Sequence, residues 1–147
     1  MKSRLSIKTV EPRIYQAMAA ADKQVKEFDI EPKLKELIKV RVSQINGCGY
    51  CIDYHTQDSL KLGETPQRLF ALSAWWETPF FTDQDQAALK LAEEVTLINQ
   101  QGVTDATYKK ALEHLGEQKL AQVIFIAITI NSWNRIAIPA HMVAGID

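Results

Sequence analysis

The 147-residue chain is predicted to be all-α, a compact fold of six to seven helices. Three observations carry that reading. Apolar residues recur at three- and four-residue intervals through most of the chain. Residues that open and close helices stand at the ends of those stretches. No alternating strand pattern bounded by turn residues appears.

Pro12 and Pro32 each follow an acidic residue, in the first-turn position where a missing N–H costs nothing. Ile14, Met18, Ala21, Val25 and Phe28 then share one helical face, which predicts a helix over 12–28. Leu34, Leu37, Ile38, Arg41, Val42 and Ile45 predict a second over 32–45, broken by Asn46-Gly47. A third is predicted from about Tyr50 to Leu62, with Gly63 just past its end.

Thr65-Pro66 reads as an N-cap followed by a first-turn proline and opens a short helix over 66–74. Thr82 with Asp85 has the form of a capping box, with Asp in place of the usual Glu, ahead of Ala88, Leu91, Ala92, Val95, Leu97 and Ile98. Thr104 opens a further helix that ends near Gly116. The final stretch, 117–138, is rich in β-branched residues, whose local preference is for strand. Its length exceeds that of a typical strand, and no Gly or Pro interrupts it before Pro139, so a buried helix is predicted. No internal repeat, low-complexity tract or linker is visible, and residues 1–147 are expected to form one domain.

Composition narrows the function. With 46% hydrophobic and 24% charged residues the chain has the make-up of a soluble globular protein. A net charge of −1 and the lack of a basic stripe argue against a nucleic-acid partner. MKSRLSIKTVEPR lacks the apolar core of a signal peptide. The longest apolar run, residues 120–130, is too short to span a membrane. The expected location is the cytoplasm, where a lone cysteine pair points to catalysis or metal binding.

That pair lies in NGCGYCIDYHTQ, residues 46–57, which holds both cysteines of the chain. Cys48 stands at the start of the predicted third helix, Cys51 follows three residues on and His55 four beyond, all on one face. The helix N-terminus favours a thiolate, and a histidine one turn away can take the thiol proton or stabilise the anion. Two thiols so spaced can close a disulfide, the minimum kit for peroxide reduction through a sulfenic acid. Three other readings compete: small core hydrophobes, a zinc site of Cys48, Cys51 and His55 with Glu36 as fourth ligand, and, for His55 taken without the dithiol, a surface or satisfied core histidine. Glu36 on the preceding helix has a further reading. If the helices pack antiparallel across the 46–47 turn, its carboxylate can orient His55; the competing reading is an exposed glutamate paired with Lys33, Lys35 or Lys39.

Glu36, Cys48-x-x-Cys51 and His55 together resemble the E-x11-C-x-x-C-x3-H signature of alkylhydroperoxidase D-like (AhpD-like) proteins, the redox branch of the carboxymuconolactone decarboxylase superfamily. RVSQINGCGYCIDYHTQDSLKLGET, RLFALSAWWETPFFTDQDQAALKLAEEVT and INSWNRIAI extend the resemblance over roughly residues 12–138. It implies an all-helical fold assembled as trimers or hexamers, with the dithiol in a pocket near a subunit interface. It implies a thiol peroxidase without cofactor or metal, acting on a small organic hydroperoxide or hydrogen peroxide and recharged by an external dithiol donor. Carried over by position, Cys51 is the peroxide-attacking cysteine, Cys48 the resolving one, and His55 and Glu36 the proton relay. Some members carry a histidine immediately before the second cysteine, where this chain has Tyr50. A phenol of pKa about 10 is no base at neutral pH, but it can donate a hydrogen bond to a peroxide oxygen or wall the pocket.

A decarboxylase would have no use for a redox dithiol, so the pair favours peroxidase or disulfide-exchange chemistry within the superfamily. A redox sensor that oxidises without turnover is the rival from another class. Trp75, Trp76, Phe80 and Phe81 are expected to serve packing rather than the pocket. Arg135, in an apolar helix, is expected to need an ion pair or an interface contact. His114 and His141 stand apart and are assigned no catalytic part.

Overall fold

A computed structural model describes residues 2–145, and their regular structure is helical throughout. The helices are α1 (Ile7–Val10), α2 (Pro12–Glu27), α3 (Pro32–Asn46), α4 (Gly49–Lys61), α5 (Pro66–Ala71), α6 (Asp83–Thr96), α7 (Ile98–Gln101) and α8 (Asp105–Ala140), with a 3-10 segment at Leu72–Glu77. The punctuation acts as its chemistry dictates. Pro12, Pro32 and Pro66 open their helices, and Thr65 accepts from the Arg68 N–H. Thr82 and Asp85 form a reciprocal capping box, and Thr104 caps α8 by accepting from the Thr107 N–H.

Three differences from the sequence reading have simple causes. The one-turn helices α1 and α7 are too short to show a period, so the helix counted third is α4. The short helix after Pro66 tightens into 3-10 geometry at Leu72, where Ala74 leaves helical conformation (φ −134°, ψ 40°). The last two predicted helices are continuous as α8 except at Gly116 (φ 73°, ψ 168°), a left-handed position that glycine tolerates.

α3 is the pivot. Leu34, Leu37, Ile38, Val40 and Val42 are buried on more than one of its faces, because α4, α6 and α8 all pack against it. α8 has the length and hydropathy of a membrane span. Here it is the core helix against which α6, α3 and α2 pack, with Val123, Ile126, Ala127 and Ile130 buried. For Arg135 the expectation is an ion pair or an interface contact. The residue is exposed and bonds to the Asn131 carbonyl and side-chain oxygens (3.1 and 2.7 Å), with no ion pair among the described residues. A guanidinium that reaches water needs no counter-charge.

A buried amide network joins the end of α3 to α8. Asn46 Nδ2 donates to the side-chain oxygens of Asn131 (2.9 Å) and Asn134 (2.8 Å), and Asn134 Nδ2 donates to Ser43 Oγ (3.1 Å). Asn134 is fully buried, so each of its bonds replaces one to water. Asn134→Ala leaves the buried Ser43 hydroxyl without this partner and removes one of the two bonds of the Asn46 amide, which keeps Asn131. It is expected to cost on the order of 2 kcal/mol, read as a lower urea midpoint at unchanged slope.

Candidate active site

The site begins where that network ends. Gly47 adopts φ 70°, ψ 31°, and its N–H returns to the Gln44 carbonyl while that of Cys48 returns to Ser43, closing α3 and turning the chain into α4. Cys48 is the N-cap of α4, its Sγ accepting from the Cys51 N–H at 3.4 Å. The two cysteines are joined as a disulfide with Cα atoms 5.4 Å apart, so the chain is in its oxidised form. Cys48 is 1% exposed and Cys51 3%.

α3 and α4 pack against each other across this turn, which brings Glu36 alongside His55 in the middle of α4. Glu36 Oε2 lies 2.7 Å from His55 Nδ1, and Oε1 accepts from Lys39 Nζ at 2.6 Å. The glutamate thus takes both partners that the sequence offered it, histidine and lysine. Burial pushes its carboxyl up, but the bonds from His55 and Lys39 outweigh this and hold it below its ordinary value. Glu36 is therefore a carboxylate at neutral pH, fixed on both oxygens. Of the other lysines in KLKELIK, Lys35 donates to the carbonyls of Val25, Lys26 and Phe28 and closes the end of α2.

A cavity of about 530 Å³ opens over these groups. α3 contributes Lys35, Glu36 and Lys39; α4 contributes Tyr50, Cys51, Tyr54, His55 and Asp58; α2 and α8 close it with Tyr15, Asp22 and Trp133. Cys51 lines the cavity and Cys48 does not. Tyr50 stacks on Tyr54 (ring centroids 6.4 Å apart, planes 23°), and Tyr54 meets His55 edge-on at 5.2 Å.

Sequence reasoning missed Asp22, Tyr54, Asp58 and Trp133. Asp22 had a legible signal: it is a charge four residues after Met18 and three before Val25, on the apolar face of α2. It accepts from Trp133 Nε1 at 2.9 Å, and burial pushes its carboxyl up. Asp58 lies one turn beyond His55, spacing that a lone histidine gives no reason to test.

The proposed zinc set is not assembled, since both sulfurs are spent on each other. Glu36, His55 and Asp58 do bring ligand atoms within 4.8 Å of one another. Lys39 and Lys61 already pair with the two carboxylates, which disfavours a cation there. The aromatic group lies elsewhere. Trp75 is buried and donates to Glu93 Oε1 (2.8 Å), Phe81 is buried, and Trp76 and Phe80 are exposed; none of them lines the cavity. His114 and His141 are also absent from its wall, and His141 caps the end of α8.

The model of the carboxymuconolactone decarboxylase family matches residues 12–94. The uncharacterized protein YdfG of Bacillus subtilis (strain 168) is 43% identical over 138 residues, 94% of each chain. Among solved structures, ATU0492 of Agrobacterium tumefaciens, a protein of unknown function described as a candidate antioxidant defence protein AhpD, superposes with a TM-score of 0.95 at 29% identity, covering 99% of this chain and all of that one. The alkylhydroperoxidase AhpD core of an uncharacterized peroxidase-related protein from Ralstonia eutropha JMP134 gives 0.82 at 20% identity (95% and 74% covered). The debrominase Bmp8 gives 0.79 at 16% identity (92% and 73%), so this fold also carries a different chemistry.

Proposed function

The chain belongs to the carboxymuconolactone decarboxylase family, as an AhpD-like member, and on that premise we propose that it is a thiol-dependent peroxidase. One observation carries the reading: Cys51 shares a cavity wall with His55, whose Nδ1 is held by the Glu36 carboxylate. That bond favours the proton on Nδ1 and leaves Nε2 to exchange protons in the cavity.

In the cycle, His55 takes the Cys51 thiol proton. The thiolate attacks a hydroperoxide oxygen, the O–O bond breaks, and Cys51 becomes a sulfenic acid while the departing alkoxide takes the proton from His55. Cys48 then displaces the hydroxyl of the sulfenic acid, which leaves as water, and the disulfide forms. An external dithiol returns two electrons and two protons. Tyr50 and Tyr54 serve as aromatic walls that can hold an organic hydroperoxide. The substrates are a small organic hydroperoxide or hydrogen peroxide, the chain needs no cofactor or metal, and it works in the cytoplasm as a homo-oligomer, a trimer or hexamer.

Thiol titration of the reduced protein before and after one equivalent of cumene hydroperoxide tests this. The expected result is loss of both thiols, a mass lower by two hydrogens on the peptide holding Cys48 and Cys51, and repeated turnover with a dithiol. Oxidation once, with no turnover, would identify a redox sensor instead. Retention of both thiols would refute either reading.

A further inference from the structure

We propose that Cys51 meets both external reactants, the oxidant and the reductant, and that Cys48 meets neither: in recharging, the donor thiolate attacks Cys51 Sγ and Cys48 departs as a thiolate. The inference rests on the dithiol-cycling reading above and adds the direction of its reductive half.

Access is the first reason. Both sulfurs are almost wholly covered, so a reductant cannot meet either one at the outer surface. The cavity is the way in, and of the two cysteines it reaches Cys51 alone. The leaving group is the second. Cys48 caps the 13-residue α4, and the Cys51 N–H already points at its sulfur. Negative charge released there forms at the positive end of a helix with a donor in place. Exchange is faster when the departing thiol has the lower pKa, so access and leaving-group stability select the same direction.

The step balances without a further reagent. A deprotonated thiol of the donor dithiol forms an S–S bond to Cys51 as the Cys48–Cys51 bond breaks and its electron pair goes to Cys48. The donor's second thiol, once deprotonated, attacks the donor's own sulfur in this mixed disulfide. Cys51 thiolate is released and the donor leaves as a disulfide. The Cys48 thiolate so produced is the resolving nucleophile of the next turn, formed in the interior and held there.

Brief exposure of the oxidised wild-type protein to 2-mercaptoethanol, acid quench, alkylation and fragment mass spectrometry locates the attack. The expected result is the mercaptoethanol adduct on Cys51 with alkylated Cys48, in about tenfold excess over the reverse pattern. Adduct on Cys48, or an even split, overturns the proposal. If back-attack by Cys48 closes the disulfide before the quench, the single-cysteine variants decide. Cys48→Ser should react with an aryl disulfide about tenfold faster than Cys51→Ser, and an equal or reversed order overturns it. Neither measurement contains a peroxide, so absent hydroperoxide turnover would count against the peroxidase reading alone.

Discussion

Cys51→Ser is expected to reduce hydroperoxide turnover to the rate in buffer, with the fold intact. A serine hydroxyl is not ionised at neutral pH and cannot be oxidised to a sulfenic acid, so no slower version of the same step remains. The lost disulfide spans only three residues, and its removal relaxes the unfolded chain very little. Helical circular dichroism and a urea midpoint near that of the reduced wild type would establish that activity, not folding, was lost. Cys48→Ser should differ in kind. Cys51 would still attack the peroxide once and then remain a sulfenic acid, which a dimedone adduct detects at that residue. If Cys51→Ser retains turnover, the peroxidase assignment to this sulfur fails.

Glu36→Gln is expected to lower kcat/KM for a hydroperoxide by about a hundredfold, the usual scale for losing one partner in proton transfer. The amide keeps the shape of the side chain and can still meet His55 Nδ1, but it carries no charge to stabilise the imidazolium. It also leaves the Lys39 ammonium, mostly buried, without its counter-ion. The stability consequence has a definite sign. Glu36 is held below its ordinary value in the fold, so its ionised form contributes stability that is present above the unfolded-state value. That contribution is lost as the pH falls through the lower folded value. Wild type should therefore exceed the variant in urea midpoint at neutral pH, and the gap should close as the pH falls below the ordinary carboxylate range. A gap that does not vary with pH would mean that the carboxylate is not the source of the difference.

Much of this molecule is local and so could be read from the chain. The capping box at Thr82 and Asp85, the prolines at 12, 32 and 66 and the C-terminal glycines 47 and 63 each act within one helical turn. Their effect depends on nearest neighbours and hardly at all on the rest of the fold. The dithiol is of the same kind, since the spacing of Cys48, Cys51 and His55 along one helix places them together in any structure that forms that helix. Arg135 shows the limit of such reasoning. Its place in an apolar helix implied burial, yet the residue is exposed in the single chain and the guanidinium bonds to the Asn131 oxygens.

Glu36 lies between these cases, two helices joined by one tight turn, so its pairing with His55 was a legible alternative but not a necessary one. Asp22 and Trp133 are the far case. They are 111 residues apart and meet because α2 and α8 pack side by side over the cavity. No periodicity within either helix encodes that contact, because a period states which face is buried and not what covers it. The sequence alone therefore determined the helices, their ends and the sulfur chemistry at the start of α4. Which sulfur the cavity reaches, and which residues wall it, was decided by the packing of α2, α3, α4 and α8 around it. Those contacts join segments distant in the chain, and only the assembled core specifies them.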